Sequence, residues 1–195
     1  MSVTDNKMKR LVVGLKGPKD SGKSTVAKYI TDNYFWKEEY FSRPLKEIIC
    51  IMTGWSMDFV NGITPEYKAQ RETLVHPDYG MTCRQLLQFV GTNLFREKIN
   101  PKMWVNIMKR RIADSSDHIV LSDCRFPEEC ELVKELGGII ICLERDTGHA
   151  DTHVSEQSFN TEGEYVIYNN ESLDDLFQQV ENILFEYGKH DLYMY

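Results

Sequence analysis

One stretch constrains this chain more than any other. Gly17-Pro18-Lys19-Asp20-Ser21-Gly22-Lys23-Ser24 satisfies G-x-x-x-x-G-K-[ST] and sits between an apolar run, Leu11-Val12-Val13-Gly14-Leu15, and a helix-periodic segment. That segment runs from Lys23 to about Asn33, with Val26, Ala27, Tyr29 and Ile30 on one face. A short buried strand, a glycine-bearing loop and a helix in this order make a cradle for phosphate. The glycines let backbone N–H groups curl around phosphate oxygens, and the helix points its positive end at the same anion. Lys23 reaches the β- and γ-phosphates in such a loop, and the Ser24 hydroxyl takes a position on Mg²⁺. The candidate nucleotide-binding residues are therefore Gly17, Lys19, Asp20, Ser21, Gly22, Lys23, Ser24 and Thr25. Kinases, GTPases and mechanical ATPases share this loop, so it leaves the reaction open.

The rest of the sequence supplies the frame. Tyr40-Phe41-Ser42 reads as a second short strand, and Pro44 suits the first turn of a helix from Leu45 to Met52. Pro65 to Val75 reads as a helix, followed by turn chemistry at His76-Pro77-Asp78-Tyr79-Gly80. Cys83 to Ile99 and Pro101 to Ala113 both carry helical periodicity. Ile119-Val120-Leu121, Ile139 to Leu143 and Tyr165 to Tyr168 read as strands, with helices after Pro127 and from Leu173 to Tyr187. Apolar strands alternating with helices imply a parallel sheet covered on both faces, with ligands at the carboxyl ends of its strands.

Composition narrows the class further. The 195 residues carry 23 Lys plus Arg against 30 Asp plus Glu, a formal charge of −7. That balance disfavours a coat for a nucleic-acid polymer and still allows a small cationic pocket. The cysteines are Cys50, Cys83, Cys124, Cys130 and Cys142; an odd count without zinc-knuckle spacing reads as buried thiols in a reducing compartment. No apolar stretch approaches a membrane span or a signal h-region, so the expectation is a soluble, cytoplasmic chain of one domain. Phe185, Tyr187, Tyr193 and Tyr195 near the end are a candidate dimer contact, although exposed terminal aromatics are also common.

Two further constellations carry chemistry. Asp123 ends an apolar strand, where an acid helps to hold Mg²⁺, though a turn or capping aspartate has the same signature. Arg125 follows as either a phosphate contact or a surface ion-pair residue. Arg84, Gln88, Thr92 and Arg96 recur every four residues as a polar ridge, with Leu86, Leu87, Val90 and Leu94 on the opposite, core-facing side. The ridge is either a solvated face or a surface that reads a base and clamps a phosphate. Trp104 is either a base-stacking ring or part of the core.

The stretch Arg84-Gln85-Leu86-Leu87-Gln88-Phe89-Val90-Gly91-Thr92, with Phe95-Arg96 and Trp104-Val105, resembles the deoxynucleoside monophosphate kinases of bacteriophages and large DNA viruses. Phe41-Ser42-Arg43-Pro44-Leu45-Lys46-Glu47, Asp123-Cys124-Arg125-Phe126-Pro127-Glu128-Glu129 and His153-Val154-Ser155-Glu156 are similar to further blocks of that family. Ile167-Tyr168-Asn169-Asn170, followed by Ser172-Leu173-Asp174-Asp175-Leu176, is similar to its ending beside the adenine of ATP. The resemblance implies a three-layer α/β P-loop fold with five parallel strands in the order 2-3-1-4-5, a monophosphate-binding helical region at about 43–115 and a lid at about 145–163. It implies phosphoryl transfer from ATP, with Mg²⁺, to a deoxynucleoside monophosphate. Arg84, Gln88 and Arg96 become the acceptor face, with Arg43 and Lys46 nearby and Trp104 beside it. Arg125 also holds the acceptor phosphate, Arg145 becomes a lid arginine, and Asn169 belongs to the ATP site. Rival acceptors on the same loop are dephospho-coenzyme A and phosphomevalonate. A guanine-reading switch is disfavoured, because Asn169-Asn170-Glu171-Ser172 lacks the lysine and aspartate of N-K-x-D.

Overall fold

The computed structural model describes residues 10–113, 115–145 and 164–188. The chain divides into two compact units, residues 40–113 and the remainder. The second of these holds the sheet. Its strands are β1 (Val12–Lys16), β2 (Lys37–Glu39), β3 (Ile119–Cys124), β4 (Ile139–Glu144) and β5 (Tyr165–Tyr168), all parallel, in the order β2-β3-β1-β4-β5. The implied fold and strand order are those observed. β1 is the middle strand and every residue of it is buried, which is why it reads as an unbroken apolar run.

Alternate residues of β1 serve opposite faces. Val13 and Leu15 pack with Val26, Ala27 and Ile30 of α1 (Lys23–Tyr34) and with residues Leu176, Val180 and Leu184 of α8 (Leu173–Tyr187). Gly14 faces the other way, against Val133 of α7 (Pro127–Glu135) and Ile140 of β4. Burying these side chains at about 25 cal/mol per Å² of apolar surface drives the layers together.

The second strand differs from expectation. It is Lys37–Glu39, and Tyr40-Phe41-Ser42 forms a turn in which the Arg43 N–H donates to the Tyr40 carbonyl (3.0 Å). A search for apolar residues passes over Lys-Glu-Glu, yet Glu39 is buried and ion-paired to Lys37 at 3.3 Å. All five cysteines are free; Cys83, Cys124, Cys130 and Cys142 are buried and Cys50 is half-buried. Among the described residues no helix is long and apolar enough to cross a membrane. Of the terminal aromatics, Phe185 is exposed, while the Tyr187 hydroxyl donates to the Gly137 carbonyl (2.8 Å) and accepts from the Val12 N–H (3.2 Å). Tyr187 is thereby committed to its own fold, and Tyr193 and Tyr195 lie outside the described residues.

The α1–α8 contact carries a pH-dependent element. The Tyr29 ring stacks on Phe177 at 4.0 Å, and its hydroxyl donates to Glu181. That hydrogen bond, then burial, then the Glu181 charge push the Tyr29 pKa from 10.0 up to about 12. The protonated phenol is the bonded form, so its stabilisation is present below pH 10 and is lost as pH rises through about 12. Thermal denaturation should show the wild type losing more stability between these pH values than Tyr29→Phe. Parallel curves would contradict this.

Residues 40–113 form a helical unit of α2 (Arg43–Thr53), α3 (Met57–Asn61), α4 (Pro65–Thr73), α5 (Cys83–Gln88) and α6 (Met103–Ile112). Its core is Leu45, Ile49, Phe59, Val60, Cys83, Leu86, Val90 and Trp104. α3 was not expected from periodicity, although Ser56 caps its start and Gly62 ends it. α4 ends at Thr73, two residues short of the expected Val75. The turn after it is pinned by His76, whose Nε2 lies 3.1 Å from the Thr53 carbonyl and whose Nδ1 accepts from the Asp78 N–H at 3.2 Å. The expected single helix from Cys83 to Ile99 is α-helical only to Gln88. Phe89–Ile99 is wound as a π-helix, a rare form that gathers at functional sites.

Candidate functional site

β1 ends at Lys16, and the loop to α1 turns through residues that a normal backbone avoids. Gly17 has φ 142°, Asp20 φ 62° and Gly22 φ 106°. A Cβ on Gly17 would lie 2.2 Å from the Leu143 carbonyl oxygen, so only glycine fits there. The Ser21 N–H donates to the Pro18 carbonyl at 3.3 Å, closing the turn, and Ser21 itself is fully buried. Lys19 and Asp20 are exposed at the tip. The Lys23 ammonium folds over the loop and donates to the carbonyls of Gly17 (2.8 Å) and Pro18.

α1 starts at Lys23 with no side chain capping it and no acidic residue in its first turn; Ser24 and Thr25 are exposed there. An uncapped helix start, a lysine and a loop with glycine at both ends together suit an anionic phosphate.

Asp123 lies in β3, beside β1. Gly14 pairs with Leu121 and Lys16 with Cys124, so Leu15 alone faces Ser122 and Asp123. This is a β-bulge, uncommon in parallel pairs, and bulges re-aim side chains next to active sites. Asp123 is half-buried at the end of the ladder. Among the described residues no group of three or more His, Cys, Asp or Glu is placed to hold a metal. One carboxylate and one hydroxyl are hard oxygen donors that fit Mg²⁺, which completes its shell with phosphate oxygens and water.

The turn after β3 is held by a residue that sequence reading missed. Glu129 of α7 is 2% exposed, and its Oε2 accepts from the backbone N–H groups of Arg125 (2.7 Å) and Phe126 (3.2 Å). Proline at the helix start followed by glutamate two residues later was the legible signal. Lys16 and Glu164 were also missed; they form a buried ion pair at 2.7 Å beside Cys142. Asn169 follows β5, its N–H donating to the Glu144 carbonyl (2.7 Å) and its side-chain amide to the Ser21 carbonyl (2.9 Å). Arg145 is exposed just after β4. The remainder of the expected lid, with His153 and Glu156, lies outside the described residues.

In the helical unit, Arg43 and Lys46 both lie over the Tyr40 ring, each 4.6 Å from its centroid. Arg43 opens α2 and Lys46 follows three residues on; the first turn holds no acidic residue, so these cations oppose the positive end of the helix, and Glu47 in the next turn is paired to Arg111 at 3.2 Å. α2 packs against α5 through Leu45, Ile49, Cys83 and Leu86. Burial pushes the Cys83 thiol up, while the charges of Arg71 and Lys46 pull it down, which puts those cations near the start of α5. Arg84 and Gln88 on α5 are half-buried.

The polar ridge is not a solvated face. Thr92 is 8% and Arg96 6% exposed, and Arg96 donates to the Pro101 carbonyl at 3.1 Å. Leu94, expected in the core, is exposed, as are Phe89 and Ile99. The π-helix turns less per residue than an α-helix, so the four-residue rows drift differently after Gln88. Trp104 takes the core alternative. Its ring is buried edge-on to Phe95 at 5.4 Å, and its Nε1 donates to the Gly91 carbonyl (3.0 Å), so it supports the π-helix and offers no face to a base.

The profile of the family described as deoxynucleotide monophosphate kinase matches residues 56–180. A protein of Acanthamoeba polyphaga mimivirus, provisionally named a deoxynucleotide monophosphate kinase, is 32% identical over 185 residues, covering 87% of this chain and 94% of its own. The deoxynucleotide monophosphate kinase of Escherichia phage RB69 is 29% identical over 124 residues, 60% of this chain and 51% of its own. The deoxynucleoside-5'-monophosphate kinase of Escherichia phage T5 is 24% identical over 210 aligned positions, 80% of this chain and 82% of its own. With a strand-loop-helix cradle, an acid on the neighbouring strand and a cationic helical unit, the chain belongs to the deoxynucleotide monophosphate kinase family.

Proposed function

We propose that this chain transfers the γ-phosphoryl group of ATP to the 5′-phosphate of a deoxynucleoside monophosphate, giving ADP and a deoxynucleoside diphosphate. The observation that carries this is that a chain of this family holds a phosphate cradle in one unit and a cationic cluster in the other. Dephospho-coenzyme A and phosphomevalonate are set aside by that membership. The viral relatives and the free cysteines support work in the cytoplasm of an infected host.

Phosphoryl transfer needs positioning and charge neutralisation more than covalent chemistry. The backbone from Gly17 to Ser24 and the Lys23 ammonium hold the donor phosphates. Ser24 and Asp123 would hold Mg²⁺, which when bound would supply neutralising positive charge. Arg84, Gln88 and Arg96 hold the acceptor phosphate, with Arg43 and Lys46 at the start of α2, where an anion relieves the opposed charges. Arg125 also holds the acceptor phosphate, and Arg145 adds positive charge to the transferring group. The acceptor phosphate has a second pKa of about 6, so its oxygen attacks without a strong general base. Asp123 is accordingly a metal organiser.

Arg84→Ala tests the acceptor half. Losing a charge-assisted hydrogen bond worth about 1.5–3 kcal/mol raises KM for the monophosphate by roughly 10- to 100-fold. KM for ATP stays as it was. Steady-state kinetics with each substrate varied reads the split, and an unchanged monophosphate KM overturns this assignment.

A further inference from the structure

We propose that Asn169 is a positioning residue of the phosphate cradle, acting through the Ser21–Gly22 peptide. This rests on the assignment of that cradle to the ATP phosphates. Asn169 stands where β5 ends, and its N–H extends the ladder to the Glu144 carbonyl. Its side chain turns away from solvent, and only 9% of the residue is exposed. The amide donates to the Ser21 carbonyl at 2.9 Å across a sequence separation of 148 residues.

The consequence follows from peptide geometry. The Ser21–Gly22 bond is planar and trans, so its C=O and N–H point in opposite directions. An amide fixed on the Ser21 oxygen therefore fixes the Gly22 N–H facing away from Asn169. That N–H belongs to the residue immediately before α1, in the run of donors that a phosphate meets. Gly22 adopts φ 106°, and a Cβ there would lie 2.5 Å from the Asn169 amide nitrogen. The glycine and the asparagine thus fit each other. A merely structural asparagine at a strand end would have no reason to meet the loop at its one Cβ-free helix-start position.

The test compares wild type, Asn169→Ala and Asn169→Asp. The aspartate keeps the volume but puts an oxygen opposite the Ser21 carbonyl. Calorimetry with MgATP should show binding weakened about 10-fold or more in both variants, the range set by losing one buried hydrogen bond. KM for the monophosphate and the melting temperature should change little. Measured beside Gly22→Ala alone, a Gly22→Ala/Asn169→Ala double variant should lose less than the product of the two separate losses, because truncating Asn169 relieves the 2.5 Å contact while the strain of φ 106° is common to both variants that carry Gly22→Ala. Unchanged MgATP binding in both single variants, multiplicative losses in the double variant, or loss of the fold in both single variants would each overturn the proposal. A wild type that binds no MgATP would instead overturn the function assigned to the cradle.

Discussion

Lys23→Ala lowers kcat/KM by about 10³-fold, the scale of removing one preorganised charge from a site where negative charge must be held. The Lys23 ammonium rests on the carbonyls of Gly17 and Pro18, at the rim of the loop and next to the start of α1. No other lysine or arginine of the chain lies between Gly17 and Lys28 except Lys19, which is exposed at the loop tip. Lys19 is therefore poorly placed to substitute. The fold does not depend on the ammonium, because the core beneath the loop is built from β1, α1 and α8 side chains. Steady-state kinetics and a thermal melt on the same preparation separate the two effects. Full turnover in Lys23→Ala would contradict the mechanism, and a collapse of the melting temperature would move the effect from catalysis to stability.

Removing divalent metal should abolish turnover, with activity restored by Mg²⁺ in excess over the chelator. A metal acting on phosphate oxygens contributes several kcal/mol, or about 10³-fold and more in rate. Asp123→Asn should raise the Mg²⁺ concentration needed for half-maximal rate while leaving the sheet intact. Asp123 lies at the register shift opposite Leu15, and the asparagine keeps its volume. Turnover that persists in EDTA, or an Asp123→Asn enzyme with the wild-type metal requirement, would contradict the assignment of Ser24 and Asp123.

Much of the frame was legible because it follows from strong local signals. β1 is apolar up to Leu15, and the loop after it has a fixed pattern of glycines and lysine, so the fold class and the strand-loop-helix arrangement could both be read. β2 was displaced because Lys37–Glu39 is held by pairing to β3 and by an ion pair from exposed Lys37 to buried Glu39, which periodicity does not register. The ridge from Arg84 to Arg96 was legible as spacing but not as winding. A π-helix arises from packing, here with the Gly91 carbonyl held by Trp104, and the same residues at ideal α-helical pitch would present other faces. Glu129 and Asn169 were obscured for a related reason. Each acts on backbone groups of a loop, Asn169 from far away in sequence, and such partners carry no motif.

The most direct measurement is chromatographic identification of the products when purified protein is incubated with ATP, Mg²⁺ and each of dAMP, dCMP, dGMP and dTMP. The expected result is a deoxynucleoside diphosphate formed in equal amount to ADP from at least one of the four, at a rate about 10³-fold lower with Lys23→Ala. ADP release without a deoxynucleoside diphosphate, or no reaction with all four, would contradict phosphoryl transfer to a deoxynucleoside monophosphate.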